Sequence, residues 1–416
     1  MLTNYLKITL AVMQRRKMFT FITLFGISMT LSILIVLTAF YEHIFSGNYP
    51  EVNRDRCLYA TLLEEENTKE SGVRRGPMSL YYINSYIKTL KTPEKVAFST
   101  VPNTINIYGN GKKLRLFFKY TDPVFWEITQ FEFLEGKPYT QKDVDNNEQV
   151  VIINTDTRDD YFGKGESAVG KTMEINGQNL KVIGVVRGCP ITRLVVAADL
   201  YLPYHLQKKA SADVKEYNGG YTAIVMAKTS ADLPKIQQEY AEIVPRIPLL
   251  TYGGFKPDRL NAGLSTYFDS IVRDMFFGSG DGSARTRFYL FVTIFALLFM
   301  SLPAINLVNI NISRILERAS EIGIRKAFGA SAQKLVTQFV IENIILTIFG
   351  GLLAILISAV FIWWFNGSHL IPYADLAINW TVVAVALALS LVFGLMSGVY
   401  PAWRMSRLPA VEALKG

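Results

Sequence analysis

The stretch that decides the fold is Arg314–Ala330, which reads RILERASEIGIRKAFGA. It lies between Phe288–Ile312, which contains no Asp, Glu, Lys or Arg, and Leu335–Phe365, which contains only Glu342. About 20 apolar residues span the hydrocarbon core of a bilayer, and both flanks meet that length. The connector is too polar to insert and too short to be a domain. Its helix-forming residues therefore predict a helix lying along the cytosolic face of a membrane.

One face of this connector is apolar. Ile315, Ala319 and Ile322 follow the spacing i, i+4 and i+7, so the basic side chains point elsewhere and are available to a cytosolic partner. Gly329 is a natural C-terminal stop for the helix. The alternative interpretation is a basic loop that only fixes topology, because positive loops orient membrane proteins.

The run Glu321–Ala327, followed by Gly329 and Ala330, resembles the coupling-helix signature of MacB/FtsX-type ABC transporter permeases, the type VII mechanotransmission family. The resemblance implies a membrane subunit whose cytoplasmic helix docks on a separate ATPase. ATP would then be bound and hydrolysed by that partner, so this chain is expected to have no catalytic residue, cofactor site or metal site. The residues expected to couple to the ATPase are Glu317, Glu321, Ile322, Gly323, Arg325, Lys326 and Gly329.

Composition and charge place the chain in a membrane. Half of the 416 residues are hydrophobic, and four apolar segments predict spans at 18–41, 288–312, 335–365 and 379–400. The ends assigned to the cytosol carry 12 basic and 3 acidic residues, while the short loop 366–378 carries no Lys or Arg. Basic residues beside spans stay inside. We therefore expect a multi-pass protein of the bacterial inner membrane with both termini cytoplasmic.

The remaining segments complete the predicted organisation. Residues 1–17 are an amphipathic cytoplasmic segment, 313–334 contain the coupling helix, and 401–416 form a cytoplasmic tail. Residues 42–287 have 31 basic and 30 acidic side chains, as in a soluble domain rather than a nucleic-acid-binding one. The predicted fold is thus a membrane α-helical protein of four transmembrane helices, with a large α+β extracytoplasmic domain inserted between helices 1 and 2.

The extracytoplasmic segment is rich in strand-like runs, including Val150–Asn154 and Val195–Leu202. Gly109–Gly111 and Asn176–Gly177 predict hairpin turns. The order of motifs at Asp122–Trp126 and Leu134–Lys137, continuing to Val182–Val186, resembles the outside domain of the same permeases, whereas residues 205–280 match nothing in it. The two cysteines, Cys57 and Cys189, could form a disulfide or remain two thiols.

A P-loop pattern at Gly165–Thr172 is better explained as a turn into a strand. Nucleotide binding needs a helix after the glycines, and the following residues predict a hairpin. The three histidines are scattered along the chain, so no hydrolase site is indicated.

Small and polar residues mark the predicted spans. Close helix packing is expected at Gly350, Gly351, Gly394 and Gly398. Glu342 and Gln338 are intramembrane polar residues, and Glu342 either fixes its span against the coupling helix or reaches the interface.

The end of the chain, Tyr400–Arg404 and Arg407–Leu414, resembles the terminal tail of the same permeases. The resemblance implies export or extraction of a lipoprotein, peptide or drug-like substrate. A lever that regulates a periplasmic partner such as a cell-wall hydrolase is the alternative, and a membrane receptor is the alternative of another class. Expected partners are the ATPase, a second permease copy or paralogue, membrane lipid, and a periplasmic adaptor or outer-membrane component, with no nucleic acid.

Overall fold

The computed structural model describes residues 11, 13–15, 17–207, 215–275, 283–295, 297–298, 301 and 332–406. The chain divides into two compact units. One comprises Met1–His43, Leu290–Leu370 and Asp375–Gly416, and the other comprises Ile44–Tyr289 together with Ile371–Ala374. The seven residues predicted to couple to the ATPase lie outside the described residues.

The helices in chain order are α1 (Lys17–Phe45), α2 (Leu80–Tyr82), α3 (Val124–Ile128), α4 (Gln141–Asp145), α5 (Thr155–Phe162), α6 (Leu233–Ile243), α7 (Tyr267–Met275), α8 (Ala332–Ser368) and α9 (Trp380–Ser406). A turn of π-helix follows α2 at Ile83–Ile87, and residues 283–295 are also helical. Short 3-10 helices lie at Arg54–Arg56, Tyr204–Leu206, Ser230–Asp232 and Val244–Arg246.

The strands are β1 (Cys57–Ala60), β2 (Leu63–Asn67), β3 (Gly72–Gly76), β4 (Lys95–Thr100), β5 (Asn103–Gly109), β6 (Lys112–Thr121), β7 (Phe133–Gly136), β8 (Val150–Asn154), β9 (Thr172–Ile175), β10 (Gln178–Val186), β11 (Leu200–Pro203), β12 (Tyr221–Met226) and β13 (Arg259–Ala262).

The described part of the first unit consists mainly of α1 up to His43, α8 and α9, together with helical residues 290–295, 297–298 and 301. Among the described residues, Thr20–Phe45 and Val340–Ser368 are long and apolar enough to cross a membrane. A shorter apolar helical stretch covers Trp380–Val392. At 1.5 Å per residue, 26 and 29 residues measure roughly 39 and 43 Å, more than the hydrocarbon core of a bilayer.

The second unit is built on a ten-stranded mixed sheet of order β1-β12-β4-β6-β11-β8-β10-β7, with β5 paired to β6 and β9 to β10. Among the strands that the structure describes, the pairs β8–β10 and β6–β11 are parallel and the others are antiparallel. A second sheet of three strands has the order β13-β2-β3. Helices are few and irregularly placed between the strands, so the predicted α+β architecture of this domain is confirmed.

Both predicted hairpin turns are confirmed. Asn110 and Gly111 have φ of 46° and 72°, and Asn176 and Gly177 have φ of 52° and 71°. Two consecutive left-handed residues match the right-handed twist of the flanking strands, β5–β6 and β9–β10, and Asn-Gly is the sequence that adopts them most readily. The P-loop-like segment runs into strand β9 at Thr172, as predicted.

The prediction of a strand at Val195–Leu202 is wrong in its first half. The backbone N–H groups of Val196 and Ala197 donate to the Arg193 carbonyl, at 3.0 and 2.8 Å, and hold these residues in a turn. Their apolar side chains are buried in that turn, and the strand begins only at Leu200. A short apolar run is buried equally well by either conformation, so the sequence pattern did not separate them. Cys57 and Cys189 are free thiols in the structure.

Candidate functional site at the end of the first span

The predicted packing glycines of α8 lie against two different helices. A Cβ at Gly350 would come within 2.6 Å of Ile27 on α1, and a Cβ at Gly351 within 2.2 Å of Leu387 on α9. Real Cβ atoms do not approach this closely, so glycine lets both neighbouring backbones pack directly on α8. Gly394 and Gly398 lie in α9.

Polar side chains join α1 to α8 within the same unit. The Ser32 hydroxyl donates to the Ala354 carbonyl at 3.1 Å, and the Ser358 hydroxyl donates to the Ser32 carbonyl at 3.4 Å. Both serines are buried, and such bonds hold spans together where lipid offers no alternative partner. Glu342 is also buried, with 3% of its surface exposed, one position before the buried Asn343. Gln338 lies on α8 four residues earlier.

Within the second unit, two buried arginines bond to the residues at which α1 ends, from Ile44 onward. Arg54 donates from Nη1 to the carbonyls of Ile44 and Ser46, at 2.7 and 3.0 Å. Arg193 donates from Nη1 to the same Ser46 carbonyl at 2.7 Å. The last carbonyls of a helix lack hydrogen-bond donors within the helix and carry a partial negative charge. The two guanidinium groups supply both the missing donors and a compensating positive charge. We call Glu51, Arg54, Arg193 and the carbonyls they hold the span joint.

A single carboxylate balances these arginines. Glu51 forms an ion pair with Arg54, and both side chains are at least 96% buried. The Tyr59 hydroxyl donates to Glu51 Oε1 at 3.1 Å, and the Arg54 guanidinium lies 3.7 Å from the centre of the Tyr267 ring. Burial works against the charge of Arg54, but the attraction of Glu51, Tyr59 and Tyr267 and the hydrogen bond to Glu51 together outweigh it, and the pKa of Arg54 is raised. Glu51 and Arg54 thus compensate each other's charge in the interior.

Arg193 is less well compensated than Arg54. It is 1% exposed, and its Nε–H has no hydrogen-bond partner among the described residues. Burial, followed by repulsion from Arg54, lowers the pKa of Arg193. A guanidinium stays protonated under all physiological conditions. Arg193 therefore keeps its charge in the interior, where its Nη1 donates to the Ser46 carbonyl.

A third buried cation holds the loop that carries Arg193. The Lys119 ammonium on β6 donates to the Val195 carbonyl and, at 3.4 Å, to the Leu194 carbonyl. Burial lowers the pKa of Lys119 to about 7, against the attraction of Glu51. The loop is thus fixed on one side to the ten-stranded sheet and on the other to the end of α1.

Tyr373, in the segment that follows α8, contacts the same loop. Its hydroxyl and the Thr155 hydroxyl are 2.7 Å apart, and a Cβ at Gly188 would lie 2.2 Å from the Tyr373 ring. Tyr373 has a φ of 61°, an uncommon conformation for a residue other than glycine. Residues Ile371–Ala374 are accordingly part of the second unit, and Gly188 leaves room for the ring.

A groove of about 820 Å³ lies between the three-stranded sheet and α6. It is lined by apolar side chains such as Leu63 and Val244 and by four arginines with three acids. Arg285, at the start of the helical residues 283–295, forms an ion pair with Asp269 on α7. This pair ties the outgoing end of the domain to α7.

Sequence reasoning did not identify the span joint. Arg54 comes four residues after Pro50 and stands among other charged residues, which is ordinary for a loop. Arg193 offered a signal, because it is the only charge in the eleven residues 188–198, and a lone charge in an apolar run is often buried and paired.

Two family descriptions match this chain. The MacB-like periplasmic core domain matches residues 20–243, more than half of the chain, and the FtsX-like permease C-terminal domain matches residues 293–410. The second match includes the connector from which the coupling helix was predicted.

Individual relatives agree with these matches. The chain is 27% identical over 391 residues to the uncharacterized ABC transporter permease YvrN of Bacillus subtilis, covering 89% of this chain and 84% of that protein. It is 24% identical over 348 residues to the macrolide export ATP-binding/permease protein MacB of Hahella chejuensis, covering 80% of this chain but 46% of that protein. The chain thus spans about half the length of that relative.

Among solved structures, the periplasmic region of MacB from Actinobacillus actinomycetemcomitans covers 54% of this chain and 94% of its own, with 14% identity and a TM-score of 0.35. The family matches and the named permeases give the same answer. The chain belongs to the MacB/FtsX-type ABC transporter permeases.

Proposed function

We propose that this chain is the membrane subunit of a transporter in which a separate cytoplasmic ATPase drives movement of the extracytoplasmic domain, for export or extraction of a lipoprotein, peptide or drug-like substrate. In this proposal the chain crosses the inner membrane four times, both termini are cytoplasmic, and two permease subunits pair. The ATPase docks on the connector Arg314–Ala330, whose Glu321 and Arg325 provide charges for the contact.

The observation that supports this proposal is the span joint. A movement of α1 can reach the outer domain only if the junction between them does not bend. Here the carbonyls of Ile44 and Ser46 are bonded to Arg54, and Arg193 bonds to Ser46 from a separate loop. A flexible linker would absorb the displacement, whereas buried charge-assisted hydrogen bonds transmit it.

The first experiment tests the partner. The tagged chain is purified from gently solubilised membranes and the co-purifying proteins are identified. We expect a stoichiometric ATPase, lost in the variant Glu321→Lys with Arg325→Glu. The matched control is Arg314→Glu, a charge reversal in the same connector but before the family signature, and it should retain the ATPase. A sensor kinase in place of the ATPase would contradict the proposal.

The second experiment tests transmission. Hydrogen–deuterium exchange of the outer domain is compared with and without ATP in the complete complex. ATP should change exchange in the wild type. The double variant Arg54→Met, Arg193→Met should still bind the ATPase and hydrolyse ATP, but lose the ATP-dependent change outside. An unchanged ATP response in this variant would show that the span joint does not carry the motion.

A further inference from the structure

The loop that holds Arg193 has an unusual surface for a soluble domain. Residues 188–198 contain one charged side chain, and that side chain, Arg193, is directed into the interior and bonded to Ser46. Two large apolar side chains of the loop, Ile191 and Leu194, are each 53% exposed. An apolar loop whose only charge is turned inward presents nothing that favours water on its outer side.

The backbone of the loop puts these two side chains at corners. The Arg193 N–H donates to the Pro190 carbonyl at 2.9 Å, so Ile191 occupies the corner of a first turn. The Val196 N–H donates to the Arg193 carbonyl at 3.0 Å, so Leu194 occupies the corner of a second turn. Corners of surface turns are normally polar. The intervening Thr192 carbonyl accepts from the Tyr267 hydroxyl at 3.4 Å, which further fixes the loop.

Chain connectivity gives the height of the loop relative to the proposed membrane. Ser46, which accepts from Arg193, comes five residues after Tyr41, the last residue of the uncharged stretch of α1. Five helical residues rise about 7 Å. The polar region of a bilayer adds roughly 5–8 Å beyond the hydrocarbon core on each side. With Tyr41 placed at the outer edge of the hydrocarbon core, as the proposed function has it, Ser46 is at the depth of the lipid headgroups.

A second attachment places the loop at the same level. Tyr373, whose ring packs on Gly188, comes five residues after Ser368, the last residue of α8. The loop is thus tied at one end to the residue that follows the first span and at the other to the segment that leaves α8. Both attachments are a few residues from apolar helices that are long enough to cross a membrane.

We propose that Ile191 and Leu194 insert into the interfacial region of the outer leaflet, so that the loop 188–198 rests on lipid. This inference depends on the membrane placement of the proposed function but not on its ATPase. Insertion removes two exposed apolar side chains from water and fixes the level of the loop that holds Ser46. Lipid, rather than a second protein, is the occupant favoured by the two attachments.

The test uses the full chain in lipid nanodiscs. After replacement of Cys57 and Cys189, a single cysteine is placed at Ile191 or Leu194 and labelled with an environment-sensitive fluorophore. We expect emission at shorter wavelength, and strong quenching when lipids spin-labelled near the headgroup are included. The matched control is Tyr108→Cys, because Tyr108 is 75% exposed and lies away from the loop. Tyr108 pairs with Lys113 on β6, which is roughly 20 Å along that strand from Lys119, the residue that bonds to the loop. Its label should keep its emission.

A photo-crosslinking amino acid at position 191 gives a second measurement without changing the native cysteines. A crosslink to lipid supports the proposal. A crosslink to a second copy of the chain, or a label that is shielded from water but not quenched by spin-labelled lipid, would overturn it in favour of a protein contact. Emission like that of the control would also overturn it. Co-purification of the ATPase is scored separately, so failure of the proposed function remains distinguishable.

Discussion

Replacement of Arg54 by Met is the most direct test of the span joint. The substitution removes two hydrogen bonds to the end of α1, the stacking on Tyr267 and the ion pair with Glu51. The Glu51 carboxylate, whose side chain is 3% exposed, then remains buried without its ion-pair partner. The domain should lose stability mainly because of that stranded charge rather than because of the lost contacts.

The size of the effect follows from this argument. Breaking a buried ion pair by removing one partner costs about 3–5 kcal/mol. Arg193 interacts electrostatically with Glu51 and compensates part of its charge. We therefore expect the free energy of unfolding to fall by about 3 kcal/mol. For a domain of this size, each kcal/mol lowers Tm by roughly 2–4 °C, which gives a decrease of about 6–12 °C.

The assay is thermal unfolding of the full chain in detergent, followed by the fluorescence of tryptophans including the buried Trp126. The control is the double variant Glu51→Gln, Arg54→Met, which removes the stranded carboxylate; Arg193 then loses the attraction of Glu51 together with the larger repulsion of Arg54. It should lose only about 1–2 kcal/mol, the value of the hydrogen bonds that both variants lack. If the double variant is as unstable as the single one, Glu51 does not depend on Arg54 and the charge argument is refuted.

Two further predictions use the same measurement. Gly350→Ala should lower the free energy of unfolding by about 1–3 kcal/mol, more than Gly351→Ala, because the new methyl group meets the stiff branch point of an isoleucine at Gly350 but the flexible end of a leucine at Gly351. Gly367→Ala, with open space around it, should be neutral. Equal losses at Gly350 and Gly367 would contradict the packing. Burial lowers the pKa of Lys119 in the folded protein to about 7, so between pH 7 and 9 the unfolded chain binds one proton more than the folded chain. The free energy of unfolding should therefore rise with pH, by up to about 1.4 kcal/mol per pH unit from this residue. The difference in stability between wild type and Lys119→Met isolates this slope, and a difference independent of pH would refute it.

Local sequence patterns predicted those parts of the domain that depend on local physics. The two Asn-Gly hairpins follow from the backbone freedom of those residues, and helix α5 is bounded by local signals of the same kind, the cap at Asn154 and the stop at Gly163. The three-stranded sheet was not predicted. Its strand β2 reads LEEEN, and three consecutive glutamates do not alternate as a half-buried strand should, although Glu65 is fully buried.

The span joint was not predicted for a related reason. Arg193 is far from Arg54 and Ser46 in sequence and meets them only when the loop between β10 and β11 folds back toward the end of α1. No periodicity or motif encodes such a meeting. Patterns indicate which residues a strand or helix buries, whereas contacts between loops depend on the complete topology of the sheet.

The three-stranded sheet has a mechanical consequence. Leu63, near the start of the domain, pairs with Ala262, near its end, and the antiparallel ladder runs from there to Glu66 and Arg259. A load that moves both ends of the domain together leaves every bond of this ladder unstretched. A load that separates the ends acts first on the Tyr59–Ser265 bridge, whose two backbone hydrogen bonds measure 2.7 and 3.0 Å, and then opens the ladder from Leu63–Ala262 one bond at a time. The domain is therefore stiff toward joint displacement of its ends and weak toward their separation.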